Sequence, residues 1–483
     1  MTRVLAVASE VFPLVKTGGL ADVVGALPAA LAPHGVEMRV MVPGYPAVMR
    51  ALTDRQELRR YGHFYGAGSA AVVAGKAGNL NLIVLDAPHL FDRPGNPYLG
   101  PDGADWPDNW QRFAALSRAA ADMGAGKVPA FVPDIVHCHD WQAGLAVAFL
   151  RYATRRAART MVTIHNLAFQ GNFPATIFPS LGLPAAAFAV DGVEYYGGVN
   201  YLKGGLQLAD AITTVSPTYA AEICTPENGM GLDGLLRARR NVLTGILNGI
   251  DVDVWNPATD ESLPARYDAA RLGRRSENLR AVEQRFALEP GEGPIFTVVS
   301  RLTWQKGMDV LAQSAEALVA SGARLALLGS GDAALEAMFK VAATRHPGRI
   351  GVVTGYDEHL AHLLQGGADA ILVPSRFEPC GLTQFYGLRY GCVPVVARVG
   401  GLSDSIIDAN DAALSAGVAT GIQFLPVETG GLGTAIARAV ALYRDRAVWT
   451  RIQKRGMKAD VSWEKSAGRY AALYRDVLER RPG

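Results

Sequence analysis

The stretch that decides the fold is "RVLAVASEVFPLVKTGGLADVVGAL", residues 3–27. It opens with a nearly all-apolar run at 3–9, which is typical of a parallel strand covered on both faces. It closes with Leu20, Val24 and Leu27 at helical spacing, and a lysine and two glycines separate the run from the helix. This order of strand, glycine turn and helix predicts the opening of a doubly wound α/β domain.

The same alternation of apolar runs and helical patterns continues along the chain in two series. Further strands of the first series are predicted at 37–43, 79–88, 134–139, 160–166 and 211–216. A second series starts near residue 295, with strands predicted over the stretches "IFTVVS", "RLALLG", "IGVVTG", "AILVPS" and "VPVVARVGG". We therefore expect two doubly wound parallel-sheet domains of Rossmann type, facing each other across a cleft where ligands bind.

A stretch rich in Gly, Asn, Asp and Pro separates the two series at about 248–256 and is interpreted as a linker. The predicted domains are accordingly 1–248, 249–455 and a helical tail over 456–483. A stripe of aromatic and apolar side chains in that tail is predicted to pack in a core, and the tail could pack back on the first domain. The stripe is Trp463, Ala467, Tyr470 and Tyr474.

Composition narrows the classes of function. The 483 residues carry a formal net charge of only +2, which gives no general attraction to nucleic acid or to anionic membranes. The four cysteines form no C-x-x-C pair, which suits a reducing compartment. The first residues resemble a buried strand more than a signal peptide, and the apolar runs are too short to span a bilayer. We expect a cytoplasmic protein without nucleic-acid or membrane partners.

The motif "KTGG" places Lys16 before Gly18 and Gly19, the reverse of the order in a phosphate loop that ends in G-K-[ST]. The glycines allow positive φ and close backbone approach, and the following helix start adds partial positive charge. The motif therefore suits a diphosphate or the charge developing on a leaving group. The alternative is a tight turn with a solvated lysine.

A second pair of cations follows the strand "IFTVVS" in the motif "SRLTWQKG". Arg301 and Lys306 lie where this strand ends and the next helix begins, so both can converge on one anion. The alternative is two surface cations at a helix start, which the helix dipole disfavours unless an anion is near. We favour the anion site.

A third motif, "EPCGLTQ", follows the strand "AILVPS". Glu378 lies in a turn marked by Pro and Gly, and a helix opens around Gly381, Leu382 and Thr383. The helix start can bind phosphate, and Glu378 can accept hydrogen bonds from sugar hydroxyls. Cys380 is interpreted as a packing or contact residue, because nothing nearby in the sequence activates it as a nucleophile.

Histidines and acids follow two further strands, in "HCHDWQAG" and "TIHNLAFQG". His137 and His139 share one face of their strand and could bind a metal, but no other motif completes such a site. Asp140 suits contact with sugar hydroxyls, and His165 lies at the strand end that should face the ligand.

Asp251 and Asp253 form a D-x-D motif, but its place in the linker favours turn chemistry over metal binding.

Together these motifs resemble the family of bacterial glycogen synthases and plant starch synthases. The stretches "KTGGLADV", "HCHDWQAG", "TIHNLAFQG", "LNGIDVDVWNP", "SRLTWQKG" and "SRFEPCGLTQ" occur in order and span nearly the whole chain. Relatives often have H-A-H-D where this chain has "HCHD"; Cys138 should point into the core, so no consequence is expected. The resemblance implies the two-domain GT-B fold and a retaining transfer of glucose from ADP-glucose to the non-reducing end of an α-1,4-glucan, without a metal or other cofactor.

The resemblance also implies roles for individual residues. Lys16, Arg301 and Lys306 would bind the donor phosphates, together with the helix start at 381–383. Tyr356 would stack on adenine, and His165 would line the reacting centre. The remaining residues that the resemblance places near the sugar, the donor glucose or the acceptor are Asp140, Asn248, Glu378, Cys380 and, on the acceptor side, Tyr98.

Four alternatives stay open at this point. The donor could be UDP-glucose, since a single tyrosine is thin support for adenine. The chain could be a sugar-nucleotide epimerase of the same fold, or a hinged two-domain binding protein without catalysis. A nicotinamide dehydrogenase is disfavoured because no G-x-G-x-x-G motif follows the first strand.

Overall fold

The first strand of the sequence, Thr2–Val7, lies inside a nine-stranded sheet in the computed structural model, which describes residues 1–154 and 158–480. The order across this sheet is β12-β11-β7-β6-β1-β2-β5-β4-β3, and all pairs are parallel except those that involve β4. Its strands are β1 (Thr2–Val7), β2 (Val36–Pro43), β3 (Thr53–Tyr61), β4 (Ala70–Ala77), β5 (Leu80–Asp86), β6 (Ile135–His139), β7 (Arg159–Ile164), β11 (Ala211–Thr214) and β12 (Leu243–Gly245). The strands predicted at 3–9, 37–43, 79–88, 134–139, 160–166 and 211–216 all belong to it.

A small three-stranded antiparallel sheet and, among the described residues, nine α-helices complete the N-terminal part. The small sheet has the order β8-β10-β9, with β8 (Asn172–Pro174), β9 (Glu194–Tyr195) and β10 (Gly198–Asn200). The helices are α1 (Gly19–Leu31), α2 (Pro46–Ala51), α3 (Pro88–Phe91), α4 (Asn109–Gly124), α5 (Asp140–Arg151), α6 (Phe178–Leu181), α7 (Tyr201–Leu208), α8 (Pro217–Glu222) and α9 (Asp233–Ala238). In α1 the predicted stripe is buried, and Pro28 begins the last turn.

A second, six-stranded sheet is parallel throughout and has the order β15-β14-β13-β16-β17-β18. Its strands are β13 (Ile295–Val299), β14 (Arg324–Gly329), β15 (Ile350–Thr354), β16 (Ala370–Val373), β17 (Val393–Ala397) and β18 (Ile422–Phe424). The helices around it are α10 (Arg275–Arg285), α11 (Met308–Gln313), α12 (Ala315–Ala320), α13 (Ala333–Arg345), α14 (Glu358–Gly367), α15 (Thr383–Tyr390), α16 (Gly400–Ser405), α17 (Asp411–Ser415), α18 (Thr429–Arg444) and α19 (Arg446–Met457).

The chain divides into two units, each with its own sheet. The first unit comprises Met1–Asn248 together with residues 463–480, and the second comprises Gly249–Ser462. The last helix, α20 (Glu464–Glu479), packs in the first unit, where Trp463 and Tyr474 join the hydrophobic core. The tail that was predicted from 456 therefore begins at 463, because α19 and the loop after it belong to the second unit.

The antiparallel pair β3–β4 was not predicted. Strand Thr53–Tyr61 is polar and mostly exposed, so its sequence lacks the apolar run that marks the buried strands. Such a composition is usual for the edge of a sheet, where charged side chains discourage pairing with another chain. No described helix is long and apolar enough to cross a membrane.

Candidate functional site

In the first unit, the candidate residues follow three adjacent parallel strands, β1, β6 and β7. β2 and β6 pair with opposite sides of β1, so the connections diverge there. This divergence is a topological switch point, and ligands of doubly wound sheets bind beside the carboxyl ends of the strands at such a point. Glu10, His139 and His165 all lie within three residues of these strand ends.

The "KTGG" loop leads from β1 into α1. The Lys16 side chain is about one-third exposed; its Nζ donates to Asp22 Oδ1 at 2.8 Å and lies 5.2 Å from the centre of the Phe12 ring. Gly18 has φ −158°, which is extended backbone open to any residue, so the turn does not use the positive φ that glycine allows. Its missing side chain instead leaves open space, since no described residue other than its two chain neighbours has an atom within 4 Å of where a Cβ would stand. Helix α1 then starts at Gly19 with backbone N–H groups that suit an anion.

Glu10 is a residue of this site that the sequence interpretation missed. Its carboxylate is 3% exposed and accepts hydrogen bonds from the backbone N–H of Thr17, from Thr17 Oγ1 at 2.6 Å and from the hydroxyl of Tyr98. Ser9 Oγ also lies 2.7 Å from the Tyr98 hydroxyl. Glu10 thereby connects Tyr98, which was expected on the acceptor side, with the loop that carries Lys16. The one available signal was an acid directly beyond the first buried strand.

His165 and Asp140 meet at the ends of β6 and β7. The backbone N–H of His165 donates to Asp140 Oδ1 at 2.6 Å. Asp140 has φ +56°, a left-handed conformation that is uncommon for residues other than glycine. Burial raises the pKa of its carboxyl to about 7, against the lowering effect of the backbone N–H groups of His165 and Asn166. Asp140 thus supports the backbone at His165, a role that was not predicted.

The two histidines of strand β6 differ in their surroundings. Both ring nitrogens of His137 are engaged: Nδ1 lies 2.8 Å from the Tyr474 hydroxyl and Nε2 lies 2.6 Å from Thr163 Oγ1. Nδ1 of His139 lies 2.9 Å from Nε2 of His165. Within residues 1–154 and 158–480, no three His, Cys, Asp or Glu side chains are grouped so that they could hold a metal ion.

The switch point of the second sheet lies between β13 and β16, since β14 and β17 lie on opposite sides of that pair. Lys306, which follows β13, donates from Nζ to Oε2 of Glu378, which follows β16, at 2.5 Å. Ser375 Oγ donates to the same oxygen at 2.8 Å. The side chains of Lys306 and Glu378 are 19% and 7% exposed, so this pair is largely withdrawn from water. The structure thus brings two sequence-predicted residues into direct contact.

The other predicted residues of the second unit follow strands β13, β15 and β16 along the chain. Arg301 directly follows the end of β13 and is exposed, as is Tyr356 beyond β15, at 73%. Cys380 is buried. Gly381 has φ +73°, so the chain turns there into α15, whose first backbone N–H groups follow at Leu382 and Thr383. The second unit therefore contains an exposed cation at Arg301, an exposed aromatic ring at Tyr356 and the start of helix α15.

Two adjacent glycines of the second unit were not predicted as site residues. A Cβ at Gly400 would stand 2.0 Å from the carbonyl oxygen of Glu378, and one at Gly401 would stand 2.4 Å from that of Cys380. The backbone N–H of Gly401 donates to the carbonyl oxygen of Glu378 at 3.1 Å. Any larger residue would displace the loop that carries Glu378, so these glycines fix its backbone. The doublet "GG" after β17 was the signal available in the sequence.

Near the division between the units, Asn248 is 7% exposed, and its Oδ1 accepts no hydrogen bond from the residues that the structure describes. An amide oxygen in this condition suits a ligand donor. In the linker, Asp251 Oδ1 accepts from the backbone N–H groups of Asp253 and Val254 at 2.9 and 3.1 Å. The D-x-D motif is therefore an Asx turn, as predicted.

Comparison with known proteins gives matches in both units and over the full length. Residues 3–238 match the family "Starch synthase catalytic domain", and residues 280–422 match "Glycosyl transferases group 1". The chain is 60% identical to the glycogen synthase of Mesorhizobium japonicum (strain LMG 29417 / CECT 9101 / MAFF 303099) over 99% of each chain. It is 59% identical to the glycogen synthase of Rhodopseudomonas palustris (strain BisA53), over 99% of this chain and 98% of that one.

Among solved structures, the catalytic domain of starch synthase IV from Arabidopsis thaliana bound to ADP and acarbose aligns with a TM-score of 0.89. It is 31% identical, and the alignment covers 99% of this chain and all of that one. Sucrose-phosphate synthase from Thermosynechococcus elongatus, at 16% identity and a TM-score of 0.59, shares the fold. The chain belongs to the family of bacterial glycogen synthases and plant starch synthases, glycosyltransferases of the GT-B fold.

Proposed function

We propose that this chain transfers glucose from ADP-glucose to the non-reducing end of an α-1,4-glucan, with retention of the anomeric configuration. The observation that carries the proposal is the Lys306–Glu378 pair at the switch point of the second sheet. A cation and a carboxylate held together there suit a sugar nucleotide, which offers a diphosphate to the one and hydroxyls to the other. The full-length likeness to proteins named glycogen synthase supports the choice of reaction.

In this proposal the second unit binds the donor. Arg301 and Lys306 neutralise the diphosphate, and the backbone N–H groups at residues 381–383 add the charge of a helix start. Glu378 and Cys380 contact the glucose. The exposed ring of Tyr356 offers a face for the adenine, which is our reason to favour ADP-glucose over UDP-glucose.

Lys306 has to release or share its carboxylate partner when the donor binds. Its Nζ now donates to Glu378 Oε2, and Ser375 donates to the same oxygen. A phosphate oxygen that approaches Lys306 replaces this carboxylate or shares the ammonium with it, and Glu378 can then accept from a sugar hydroxyl. The pair keeps both groups satisfied before the substrate arrives, which lowers the cost of holding two charges away from water.

Catalysis in this scheme is mainly electrostatic. Cleavage of the bond between glucose and diphosphate leaves an anion, and each well-placed donor that stabilises it contributes roughly 10²- to 10³-fold in rate. We propose that Lys16 acts on the same diphosphate as Arg301 and Lys306, so that side chains supply the charge and no metal is required. His165, supported by Asp140, and Asn248 serve the sugar. The acceptor attacks the face that the leaving group vacates, and the departing phosphate takes its proton.

We further propose that the reaction takes place in the cytoplasm. All four cysteines of the chain are free thiols in buried positions, as suits a reducing compartment. The proposed substrates, a nucleotide sugar and a glucan, require no nucleic acid or membrane.

A donor-competition assay tests the proposed function. Purified enzyme receives ADP-glucose or UDP-glucose with glycogen as the acceptor, and nucleoside diphosphate release and chain growth are followed together. We expect release of ADP only when glycogen is present, with a higher kcat/KM for ADP-glucose. Faster turnover of UDP-glucose would overturn the choice of donor, and an isomerised nucleotide sugar without chain growth would identify an epimerase instead.

The role of Lys16 on a shared diphosphate has its own test. Lys16→Met and Lys306→Met are each measured alone and then together. If both lysines stabilise the same leaving group, the double variant loses less kcat/KM than the product of the two single losses, since residues that act as a unit are non-additive. Strictly multiplicative losses would contradict the shared target.

A further inference from the structure

Three histidine rings lie in a row at the ends of β6 and β7 in the first unit. The rings of His137 and His139 are 4.3 Å apart between centroids, and those of His139 and His165 are 5.2 Å apart. His139 is fully buried and has one ring nitrogen, Nδ1, in a hydrogen bond to His165 Nε2 at 2.9 Å. Its other nitrogen, Nε2, is buried and has no hydrogen-bond partner within the described ranges 1–154 and 158–480.

The two facing nitrogens share a single proton. Burial lowers the pKa of His165 to about 3 and holds the pKa of His139 well below its usual range, so both rings are neutral near pH 7. A neutral imidazole carries one N–H and one lone pair. The bond at 2.9 Å therefore runs from His139 Nδ1–H to His165 Nε2, or in the reverse direction.

The unpartnered Nε2 of His139 decides between these directions. If His165 donates, His139 must carry its own proton on Nε2, as a buried N–H without an acceptor. If His139 donates, Nε2 keeps only a lone pair. Among buried backbone groups, an N–H without an acceptor is rarer than an under-satisfied acceptor, and we extend this preference to the ring. The face of the His137 ring cannot serve as acceptor, because that ring is tilted by only 31° and an in-plane N–H of His139 does not point at it.

We propose that His139 is a positioning residue that donates from Nδ1 to His165 and holds His165 with its own proton on Nδ1. The Nε2 lone pair of His165 is then occupied, and the ring offers substrate an N–H donor, not a base. His165 is half-buried, and its Nδ1 contacts no polar partner in the part of the chain that the structure describes. This inference deepens the proposed function and rests on it for one point: that the group accepting the hydrogen bond from His165 is a sugar oxygen.

Contacts on both sides fix this arrangement. The backbone N–H of His165 donates to Asp140 Oδ1, which limits where the His165 ring can lie. Behind His139, the ring of His137 is held by the Tyr474 hydroxyl of α20 and by Thr163, whose Oγ1 lies 2.5 Å from Thr213 Oγ1. The C-terminal helix thus supports the ring that packs against His139.

Three variants of one residue separate a donor from a mere space filler. His139→Asn places an amide N–H where Nδ1–H stands, His139→Asp places an acceptor there, and His139→Leu places neither. The enzyme is labelled with ¹⁵N-histidine, and the His165 signals are identified from their loss in His165→Ala. The tautomer of His165 is then measured by NMR without substrate, and kcat and KM are measured with ADP-glucose and glycogen.

We expect wild-type and His139→Asn enzymes to carry the His165 proton on Nδ1, and His139→Asp to move it to Nε2. Loss of the donor at His165 should lower kcat by roughly 10²-fold in His139→Asp and His139→Leu, with smaller changes in KM. His139→Asn should retain kcat within about tenfold of wild type, since the hydrogen bond survives the substitution. Thermal unfolding of each variant shows whether it is folded.

A His165 proton on Nε2 in the wild-type enzyme would overturn the proposal, as would equal kcat in the Asn and Asp variants. The NMR result does not depend on the reaction. If the chain elongates no glucan while His165 is protonated on Nδ1, the proposed function fails and the positioning role of His139 stands. If His139→Leu does not fold, the Asn and Asp pair still decides the question.

Discussion

The two units place a lysine and a buried carboxylate beside their switch points, but they connect them differently. In the first unit, Glu10 holds the loop through Thr17, while Lys16 extends outward to Asp22. In the second unit, Glu378 holds Lys306 itself. The first arrangement fixes the backbone and leaves the cation about one-third exposed, whereas the second fixes the cation and largely withdraws it from water. The same residue types therefore hold a loop in one unit and a largely buried charge in the other.

Replacement of Lys306 should have the largest effect. Lys306→Met leaves Glu378 buried without its cation, so we expect the free energy of unfolding to fall by about 2 kcal/mol. The loss stays below that of a fully buried pair because Ser375 still donates to Glu378 and the lysine is 19% exposed. Loss of a leaving-group donor should also lower kcat/KM by roughly 10³-fold. Initial rates and urea unfolding measure both.

Lys340→Met is the matched control in the same unit. Lys340 pairs with Glu336 one turn away on α13, and both ends are more exposed, at 58% and 23%. Such a pair is worth about 0.5 kcal/mol or less. Equal unfolding curves for the variants at Lys306 and Lys340 would show that burial does not distinguish the Lys306–Glu378 pair.

Replacement of Lys16 should separate activity from stability. Lys16→Met removes an ion pair whose side chains are 34% and 21% exposed, so the free energy of unfolding should change by less than about 0.5 kcal/mol. If Lys16 binds the donor phosphates, kcat/KM should still fall by roughly 10²-fold. Lys76→Met on strand β4, also exposed, controls for a surface charge and should leave kcat/KM unchanged.

Glu10 tests whether the loop of the first unit depends on its carboxylate. The carboxylate of Glu10 accepts hydrogen bonds from the N–H and hydroxyl of Thr17 and from the hydroxyl of Tyr98. In Glu10→Gln the amide keeps one acceptor oxygen, but its NH₂ group then faces some of these donors. We expect a loss of about 1–2 kcal/mol in the free energy of unfolding. Because the loop is then less well held, kcat/KM should fall by about tenfold, the equivalent of 1.4 kcal/mol. Unchanged values in both measurements would show that the carboxylate does not hold the loop; Glu37→Gln on β2 is the control.

Sequence alone located the strands next to both switch points, because buried parallel strands carry long apolar runs such as 295–299. It could not join Lys306 to Glu378, which are 72 residues apart and meet only through the pairing of β13 with β16. Gly400 and Gly401 were missed for the same reason, since the backbone that they must clear belongs to a distant loop. Glu10 was missed because a single acid after a strand forms no motif with neighbouring residues, and the sequence shows no spacing that would single it out.

The smallest expected effect compares one hydroxyl in each unit. Ser375→Ala removes a donor to Glu378 Oε2 at a buried position, so we expect a loss of about 1 kcal/mol in the free energy of unfolding. Thr17→Val removes the hydroxyl that donates to Glu10, but Thr17 is exposed and its backbone N–H still reaches that carboxylate. The loss there should be smaller, and neither variant should change kcat/KM by more than about threefold, since both cations remain. A larger loss in the free energy of unfolding for Thr17→Val than for Ser375→Ala would contradict this prediction. It would show that Glu10 depends more on its hydroxyl donor than Glu378 does.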